Sequence, residues 1–330
     1  MNHETNRPEY SIVIPVYNEE ETIPELARRL GQLLERLDGP AEVILVDDGS
    51  SDGGYELMLA ERERDSRFKI LRFSRNFGHE LATTAGLDVA AGNAIIIMDA
   101  DLQDPPEVVL EMSARWREGF DVIYGIREER PGETRFKRVT SAVFYRLFHR
   151  IADIDVPLDV GDFRLVDRRA LEAFKAMRET NRYVRGMWGW IGFRQVGVRF
   201  QRDERFAGDT KYPLTKLLKI ATDGVVSFSA APLRLALNLG FLFAGFSFFL
   251  GTLAIALKFA GLWSIPGLAS IAVFVAFLGG MQLLVLGLMG EYIARIHDEV
   301  KNRPLYLVRD AHGLSDELFD GSHEPRHAAR

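Results

Sequence analysis

The sequence predicts an α/β domain built on a mostly parallel sheet, followed by a hairpin of two membrane-spanning helices. Three observations support this prediction: short β-branched runs alternate with helical patterns, some runs are apolar throughout, and two long apolar stretches lie near the carboxyl end. Strands that alternate with helices are typical of a parallel sheet covered on both faces. Residues 95–97 are three consecutive isoleucines, which fits a strand buried on both sides.

A cluster of polar residues follows each of the first four predicted strands. Strands are predicted at residues 10–16, 41–46, 69–73, 94–98 and 121–124, and helices at residues 20–37, 54–65, 79–91, 105–117, 141–151 and 168–178. Because ligands bind at the carboxyl ends of parallel strands, the polar clusters there are predicted to line one site. These clusters are Tyr17-Asn18-Glu19, Asp47-Asp48-Gly49-Ser50, Ser74-Arg75-Asn76 and the acidic run from Asp99 to Asp104.

The apolar stretches, residues 235–257 and 267–290, have about 23 residues each, against the roughly 20 that a helix needs to span a bilayer. The alternative, two buried helices of a soluble core, is disfavoured because residues 241–257 have no polar face. By the positive-inside rule, the basic flanks place both termini and the large domain in the cytoplasm, with the hairpin in the cytoplasmic (inner) membrane. These basic residues are Lys211, Lys216, Lys219, Arg234, Arg295, Lys301 and Arg303.

The predicted domain organisation follows from these segments. Residues 1–212 form the cytoplasmic domain, residues 213–232 are amphipathic and lie along the membrane surface, and residues 233–292 hold the two membrane helices. Residues 293–330 form a cytoplasmic segment whose polar end, from Asp310, is predicted to be a disordered tail. The glycine-rich membrane helices could also pack between protomers, so a homo-oligomer stays open.

Composition excludes some functions. The net charge of −6 argues against general binding to nucleic acid, whose phosphates would repel the chain. The absence of cysteine excludes disulfides and thiolate metal sites. The first twenty residues lack a basic-then-apolar signal pattern, so the amino terminus is expected to stay untranslocated.

The acidic run after the fourth strand is a candidate metal site. Asp99 and Asp101, two residues apart, can point into one small volume, and Gln103 adds a carbonyl oxygen. Mg²⁺ and Mn²⁺ prefer such oxygen ligands. The alternative is an acidic surface turn, which the neighbouring strand-end clusters make less favoured.

Five motifs carry a resemblance to a known family. In order, they are VIPVYNEE, VDDGSSDG, DADLQDPP, GDFRL and RFAGDTKY, and the two apolar stretches follow them. Together they resemble the polyprenyl-phosphate glycosyltransferases of glycosyltransferase family 2, which have the GT-A fold. The resemblance runs from about Tyr10 to about Arg303. It implies a nucleotide-sugar donor, a polyprenyl phosphate acceptor in the membrane, and Mg²⁺ or Mn²⁺.

The resemblance also implies roles for individual positions. Asp101 and Gln103 would bind the metal, with Asp99 bound directly or through water. For Asp47 and Asp48 the alternative is a capped turn before a helix, because Asp, Gly and Ser favour turns, and both interpretations can hold at once. The positions that would line the nucleotide-sugar pocket are Pro15, Tyr17, Asn18, Glu19, Asp47, Asp48, Arg75, Asn76, Gly78 and Asp99.

The catalytic candidates are one carboxylate and three cations. Arg127, Arg205 and Lys211 would bind phosphate oxygens, since two negatively charged substrates must meet. For Arg205 and Lys211 the alternative is a basic membrane flank. Asp162, in GDFRL, is implied to be catalytic, either as a base or as a residue that positions the acceptor. A base is less necessary, because a phosphate monoester with a second pKa near 6 is already largely deprotonated.

The expected function is inverting, metal-dependent transfer of one hexose to undecaprenyl phosphate, with glucose from UDP-glucose as the first expectation. One alternative is a mannose synthase that uses GDP-mannose. Another is a processive polysaccharide synthase, but residues 112–116 lack the glutamine of the QxxRW motif that such enzymes need. A third, from a different class, is an inactive membrane scaffold, against which the intact acidic run argues.

Overall fold

A computed structural model describes residues 7–127, 160–182, 184–202, 231–260 and 268–314 of the 330-residue chain. These residues form two compact units. The sheet unit holds the residues that precede the apolar helices, together with those from Arg303 onward. The helical unit holds the two apolar helices.

The sheet unit contains an eight-stranded mixed sheet with the order β7-β5-β6-β4-β1-β2-β3-β8 among the described residues. The strands β1 to β4 and the pair β5–β7 run parallel, whereas β6 and β8 are antiparallel to their neighbours. The strands are β1 (Tyr10–Val16), β2 (Ala41–Asp47), β3 (Phe68–Phe73), β4 (Ala94–Ile97), β5 (Val122–Arg127), β6 (Val160–Asp167), β7 (Gln195–Phe200) and β8 (Val308–His312).

Helices cover this sheet. In α1, Leu26, Leu30 and Leu33 recur at helical spacing and are buried, and Pro24 lies in the first turn, where its missing N–H costs no hydrogen bond. The helices are α1 (Ile23–Leu34), α2 (Gly54–Arg64), α3 (His79–Val89), α4 (Val109–Arg117, after a 3₁₀ turn at Pro106–Val108), α5 (Arg168–Ala176) and α6 (Val184–Trp190).

The predicted mostly parallel α/β fold is confirmed, and all five predicted strands occur within a few residues of their predicted limits. β1 is buried along its whole length, as its apolar sequence predicts. Pro15 fits in this central strand because Val13 is the last residue of β1 that pairs with β4, so the missing N–H of Pro15 leaves no neighbour unpaired.

The carboxyl-terminal prediction is wrong in part. Asp310, Ala311 and His312 belong to β8, which pairs with β3, and not to a disordered tail. Side-chain contacts hold the segment in place. The Tyr306 ring stacks on Phe73 at 5.1 Å between centroids, and its hydroxyl donates a hydrogen bond of 2.8 Å to Asp88. Residues 315–330 of the predicted tail lie outside the described residues.

In the part of the helical unit that the structure describes, the helices are α7 (Ala231–Phe259) and α8 (Leu268–Val300). By length and composition, Ala236–Leu253 and Phe277–Val300 are suited to crossing a membrane. The predicted spans, residues 235–257 and 267–290, overlap these helices. The predicted interfacial segment lies outside the described residues, except for its last two residues, which begin α7. The predicted helix at residues 141–151 lies outside them entirely.

Candidate active site

The pairing of β4 with β6 brings two distant carboxylates together. Ile97 pairs with Arg164 in an antiparallel register, and the same register continued by two residues places Asp99 opposite Asp162. His79, the first residue of α3, joins them: its Nε2 lies 3.5 Å from Asp99 Oδ1 and 3.8 Å from Asp162 Oδ2. Ligand atoms of these three residues all lie within 4.8 Å of one another, a spacing that suits a shared cation.

Asp162 is paired with Arg185 from α6. Arg185 donates two parallel hydrogen bonds, from Nε to Oδ1 and from Nη2 to Oδ2, each of 2.8 Å. Burial would raise the pKa of Asp162, but these bonds and the positive charge of Arg185 outweigh burial and hold the pKa below its usual range. These contacts favour the ionised form of Asp162.

The acidic turn after β4 has a strained centre. Leu102 has a φ of 57°, and the backbone N–H of Gln103 donates to Asp101 Oδ1 at 3.1 Å. Burial raises the pKa of the Asp99 carboxyl, and the like charge of Asp162 adds to the shift. Carboxylates that crowd in this way fit a divalent cation, because its charge would offset their repulsion.

A second buried carboxylate lies beside the turn. Asp104 is fully buried, and its oxygens lie 3.6 Å from Arg127 Nη2 and 3.6 Å from Arg202 Nε. Burial raises its pKa to about 6, even though the two arginines oppose the shift. Arg127 ends β5 and packs over Gly161, where a built Cβ would lie 2.5 Å from Arg127 Nη2. Arg127 therefore lies next to the residue that precedes Asp162.

Neighbouring loops at this sheet edge are bound to one another. The N–H of Ser51 donates to Asn18 Oδ1 at 2.8 Å, which ties the β2–α2 loop to the β1–α1 loop. Asp48 is buried and accepts hydrogen bonds from the N–H groups of Phe77 and Gly78, which ties the same loop to the one after β3. Gly49 has a φ of 73°, and a Cβ there would lie 2.6 Å from the Arg75 backbone, so the approach requires glycine.

The predicted capped turn is confirmed for Asp47, whereas Asp48 binds the loop after β3. Asp47 is fully buried, accepts the Ser50 N–H at 2.9 Å, and forms an ion pair with Arg72 at 3.2 Å. Burial raises the pKa of Asp48, and the backbone N–H groups that bind its carboxylate partly oppose this rise. Whether either aspartate also contacts a nucleotide stays a prediction.

The other predicted pocket residues surround these loops. Tyr17 is about half exposed, Arg75 and Asn76 are exposed, and Gly78 is the N-cap residue that precedes α3, with a φ of 103°. Glu19 accepts the Thr22 hydroxyl at 3.0 Å. Their contact with a nucleotide sugar stays a prediction. Arg205 and Lys211 lie outside the described residues.

Sequence reasoning missed His79, Arg185, Asp104 and Arg202. His79 had a signal, because it directly follows the cluster after β3. Asp104 had one as well, since it belongs to the acidic run. Arg185 and Arg202 had no such signal, because Arg185 lies in α6 and Arg202 follows β7, two elements that local patterns did not reveal.

Acidic residues at the edge of a mostly parallel sheet, next to two arginines that share a buried carboxylate, suit a class of protein that binds a cation and phosphate groups. The glycosyl transferase family 2 model matches residues 11–174. An uncharacterised glycosyltransferase of Bacillus subtilis, YkcC, is 48% identical over 96% of this chain and 98% of its own length. The bactoprenol glucosyl transferase of Shigella phage SfII is 39% identical over 92% and 98%. The chain therefore belongs to glycosyltransferase family 2 and is a glycosyltransferase with the GT-A fold.

A solved structure is more distantly similar. The mannosyltransferase PcManGT from Pyrobaculum calidifontis, in complex with GDP-Man and Mn²⁺, is 19% identical, with a TM-score of 0.45 over 90% of this chain and 88% of that one. At that level, the similarity carries no argument about the donor or the metal of this chain.

Proposed function

We propose that the chain transfers one hexose from a nucleotide sugar to a polyprenyl phosphate at the cytoplasmic face of the membrane, with glucose from UDP-glucose going to undecaprenyl phosphate. The main support is the 39% identity to a bactoprenol glucosyl transferase, which extends over 98% of that relative. Since the match covers 92% of this chain, it includes the acidic turn and reaches the apolar helices.

The chemistry is a single displacement. An oxygen of the acceptor phosphate attacks the anomeric carbon, the bond from that carbon to the nucleoside diphosphate breaks, and the configuration inverts. No proton has to be removed from the acceptor, because a phosphate monoester is largely dianionic at neutral pH. A divalent cation, Mg²⁺ or Mn²⁺, held by Asp99, Asp101 and Gln103 would supply positive charge for the departing diphosphate.

The residues of the chain then have distinct tasks. Arg127, Arg205 and Lys211 bind phosphate oxygens and reduce the repulsion between the two anionic substrates. Asp162, kept ionised by Arg185, positions the acceptor or the sugar and does not act as a base. The strand-end loops that contain Asn18, Asp48 and Gly78 enclose the nucleotide.

The donor is tested directly. Purified full-length protein is given labelled UDP-glucose, UDP-GlcNAc or GDP-mannose, with undecaprenyl phosphate and Mg²⁺ or Mn²⁺. Label from UDP-glucose is expected in the lipid fraction, at one sugar per lipid. Transfer from GDP-mannose alone would assign the mannose synthase alternative, and longer products would assign a processive synthase.

The acidic turn is tested by substitution. Asp101→Ala is expected to abolish transfer and leave the fold intact, because the cation loses a ligand. Glu111→Ala, on the exposed side of α4, is the matched control and should transfer normally. Near-normal turnover of Asp101→Ala would rule out its metal role.

A further inference from the structure

Two arginines share one buried carboxylate beside the candidate active site. Arg127 ends β5, and Arg202 lies two residues beyond β7, whose last residue, Phe200, pairs with Arg127. The parallel pairing of these strands therefore brings both side chains to the same sheet edge. Each contacts a different oxygen of Asp104, at 3.6 Å in both cases.

The contacts between these three side chains are ion pairs. Two guanidinium groups surround the one carboxylate that they both contact, and the more distant carboxylates of Asp99 and Asp101 also act on Arg202. A separation of 3.6 Å allows an ion pair but is too long for a hydrogen bond. Among the described residues, neither Asp104 oxygen and neither arginine Nε has a hydrogen-bond partner, although all four atoms are buried. Buried polar atoms are rarely left without a partner. A phosphate group could accept hydrogen bonds from the guanidinium N–H groups, whereas the Asp104 oxygens need a donor.

The same two arginines can still reach a ligand. Their side chains are 30% and 27% exposed, whereas Asp104 is fully buried. Burial and the positive charge of Arg127 lower the pKa of Arg202, although the carboxylates of Asp104, Asp101 and Asp99 oppose the shift. An anion beside the two arginines would favour their charged forms. Arg127 also packs over Gly161, the neighbour of Asp162, which places the pair beside the candidate active site.

We propose that Arg202 acts with Arg127 as a phosphate-binding pair and that Asp104 is the positioning residue that holds both guanidinium groups. The proposal rests on the proposed function and adds Arg202 and Asp104 to it. The ligand is a phosphate group, either the monoester of the lipid acceptor or the diphosphate of the donor. Guanidinium groups suit either, because they bind phosphate oxygens through paired N–H donors.

The kinetic test compares Arg202→Gln with Arg199→Gln, a matched control at an exposed position of β7. Losing a charge-assisted hydrogen bond is expected to raise the KM of the substrate whose phosphate is bound about tenfold or more. The control should stay within about twofold of wild type for both substrates. A rise confined to the polyprenyl phosphate assigns the acceptor, and a rise confined to the nucleotide sugar assigns the donor. Unchanged KM values for both substrates would reject the proposal that Arg202 and Arg127 bind a phosphate group together.

A binding test is independent of transfer. Farnesyl phosphate and UDP-glucose are titrated separately onto the full-length protein in EDTA. Arg202→Gln should weaken the binding of one ligand about tenfold, and Arg202→Lys should recover part of it, since lysine keeps the charge but not the fork. If wild type transfers no sugar to lipid, the proposed function fails. This titration still tests whether Arg127 and Arg202 bind a phosphate group. Equal affinities in Arg202→Gln and Arg199→Gln would reject it.

The role of Asp104 is tested with Asp104→Asn, which keeps the shape and removes the charge. We expect the KM of the same substrate to rise as in Arg202→Gln, because the guanidinium groups lose the charge that positions them. A lower melting temperature with both KM values unchanged would show that Asp104 is only a structural counter-ion, and would reject its positioning role.

Discussion

Asp162 is held as an anion by a residue that lies 23 positions further along the chain. Because both of its oxygens are bound by Arg185, its orientation depends on the planar fork of the guanidinium group. Arg185→Lys keeps the charge but loses the fork, so kcat is expected to fall about tenfold. Steady-state kinetics with both substrates measure the change, and Arg199→Lys, at an exposed position, is the control. A kcat equal to wild type would show that this pair does not position Asp162 for the reaction.

Two ligand sets share Asp99. The motif favours Asp101 and Gln103 as its partners, whereas the geometry groups it with His79 and Asp162. Since Asp162 already binds Arg185, we expect Asp101→Asn to weaken Mn²⁺ binding about tenfold or more and His79→Gln to weaken it less. Titration of Mn²⁺ in the presence of UDP, followed by electron paramagnetic resonance of the free ion, measures both affinities. A larger loss of Mn²⁺ affinity in His79→Gln than in Asp101→Asn would assign the metal site to Asp99, His79 and Asp162.

The packing of α3 on the sheet depends on one glycine. A Cβ on Gly86 would lie 2.3 Å from Val13 Cγ1 and 3.1 Å from Val46 Cγ2, so Gly86→Ala forces α3 away from β1 and β2. Overpacking of this kind costs about 1–3 kcal/mol, which exceeds the gain of about 1 kcal/mol in helix propensity. We therefore expect a lower free energy of unfolding, measured by denaturant titration.

Gly31 provides the matched control for this prediction. It also lies inside a helix, α1, but a Cβ there would meet nothing within 4 Å. Gly31→Ala is therefore expected to stabilise the sheet unit by up to about 1 kcal/mol. If both substitutions stabilise the protein equally, then α3 is free to shift and the close packing is not required.

The elements that local patterns specify were predictable. β1 to β4 are apolar runs followed by turn residues, so their positions and the polar edge at their ends can be read from neighbouring residues. β6 could not be predicted from local sequence, because it contains Arg164, which is 3% exposed and donates to the backbone oxygen of Gly161. A buried arginine looks like a surface residue until its partner is known. β8 is polar because it is an edge strand, which backbone pairing with β3 holds in place.

In the candidate site, the residues that follow one strand were predictable, whereas the contacts between distant strands were not. Asp99 and Asp101 follow a buried strand, so their position at the sheet edge is a local property. The approach of Asp162 to Asp99 depends on the antiparallel register of β4 and β6, and the pairing of Arg127 with Arg202 depends on β5 and β7. Both registers join segments far apart in sequence, and periodicity carries no information about them.

At the scale of the whole chain, a sheet unit with a glycosyltransferase fold is followed by apolar helices suited to a lipid phase. The proposed reaction needs both, because a polyprenyl phosphate stays in the bilayer while a nucleotide sugar stays in water. This arrangement works only if the sheet unit lies on the side of the membrane where the donor is made. The orientation of the hairpin is therefore as important to function as the acidic turn.

The chain contains no cysteine, so a single introduced thiol reports its own side of the membrane. The positive-inside rule places the loop between the apolar stretches outside, since residues 258–266 carry one lysine against the basic outer flanks. In intact cells, a membrane-impermeant maleimide is expected to label Ser264→Cys and not Ser66→Cys, an exposed position of the sheet unit. Both should react once the cells are opened, which controls for thiol accessibility. Labelling of Ser66→Cys alone in intact cells would show the opposite topology. The sheet unit would then lie outside the cytoplasm, where it could not reach a cytoplasmic donor.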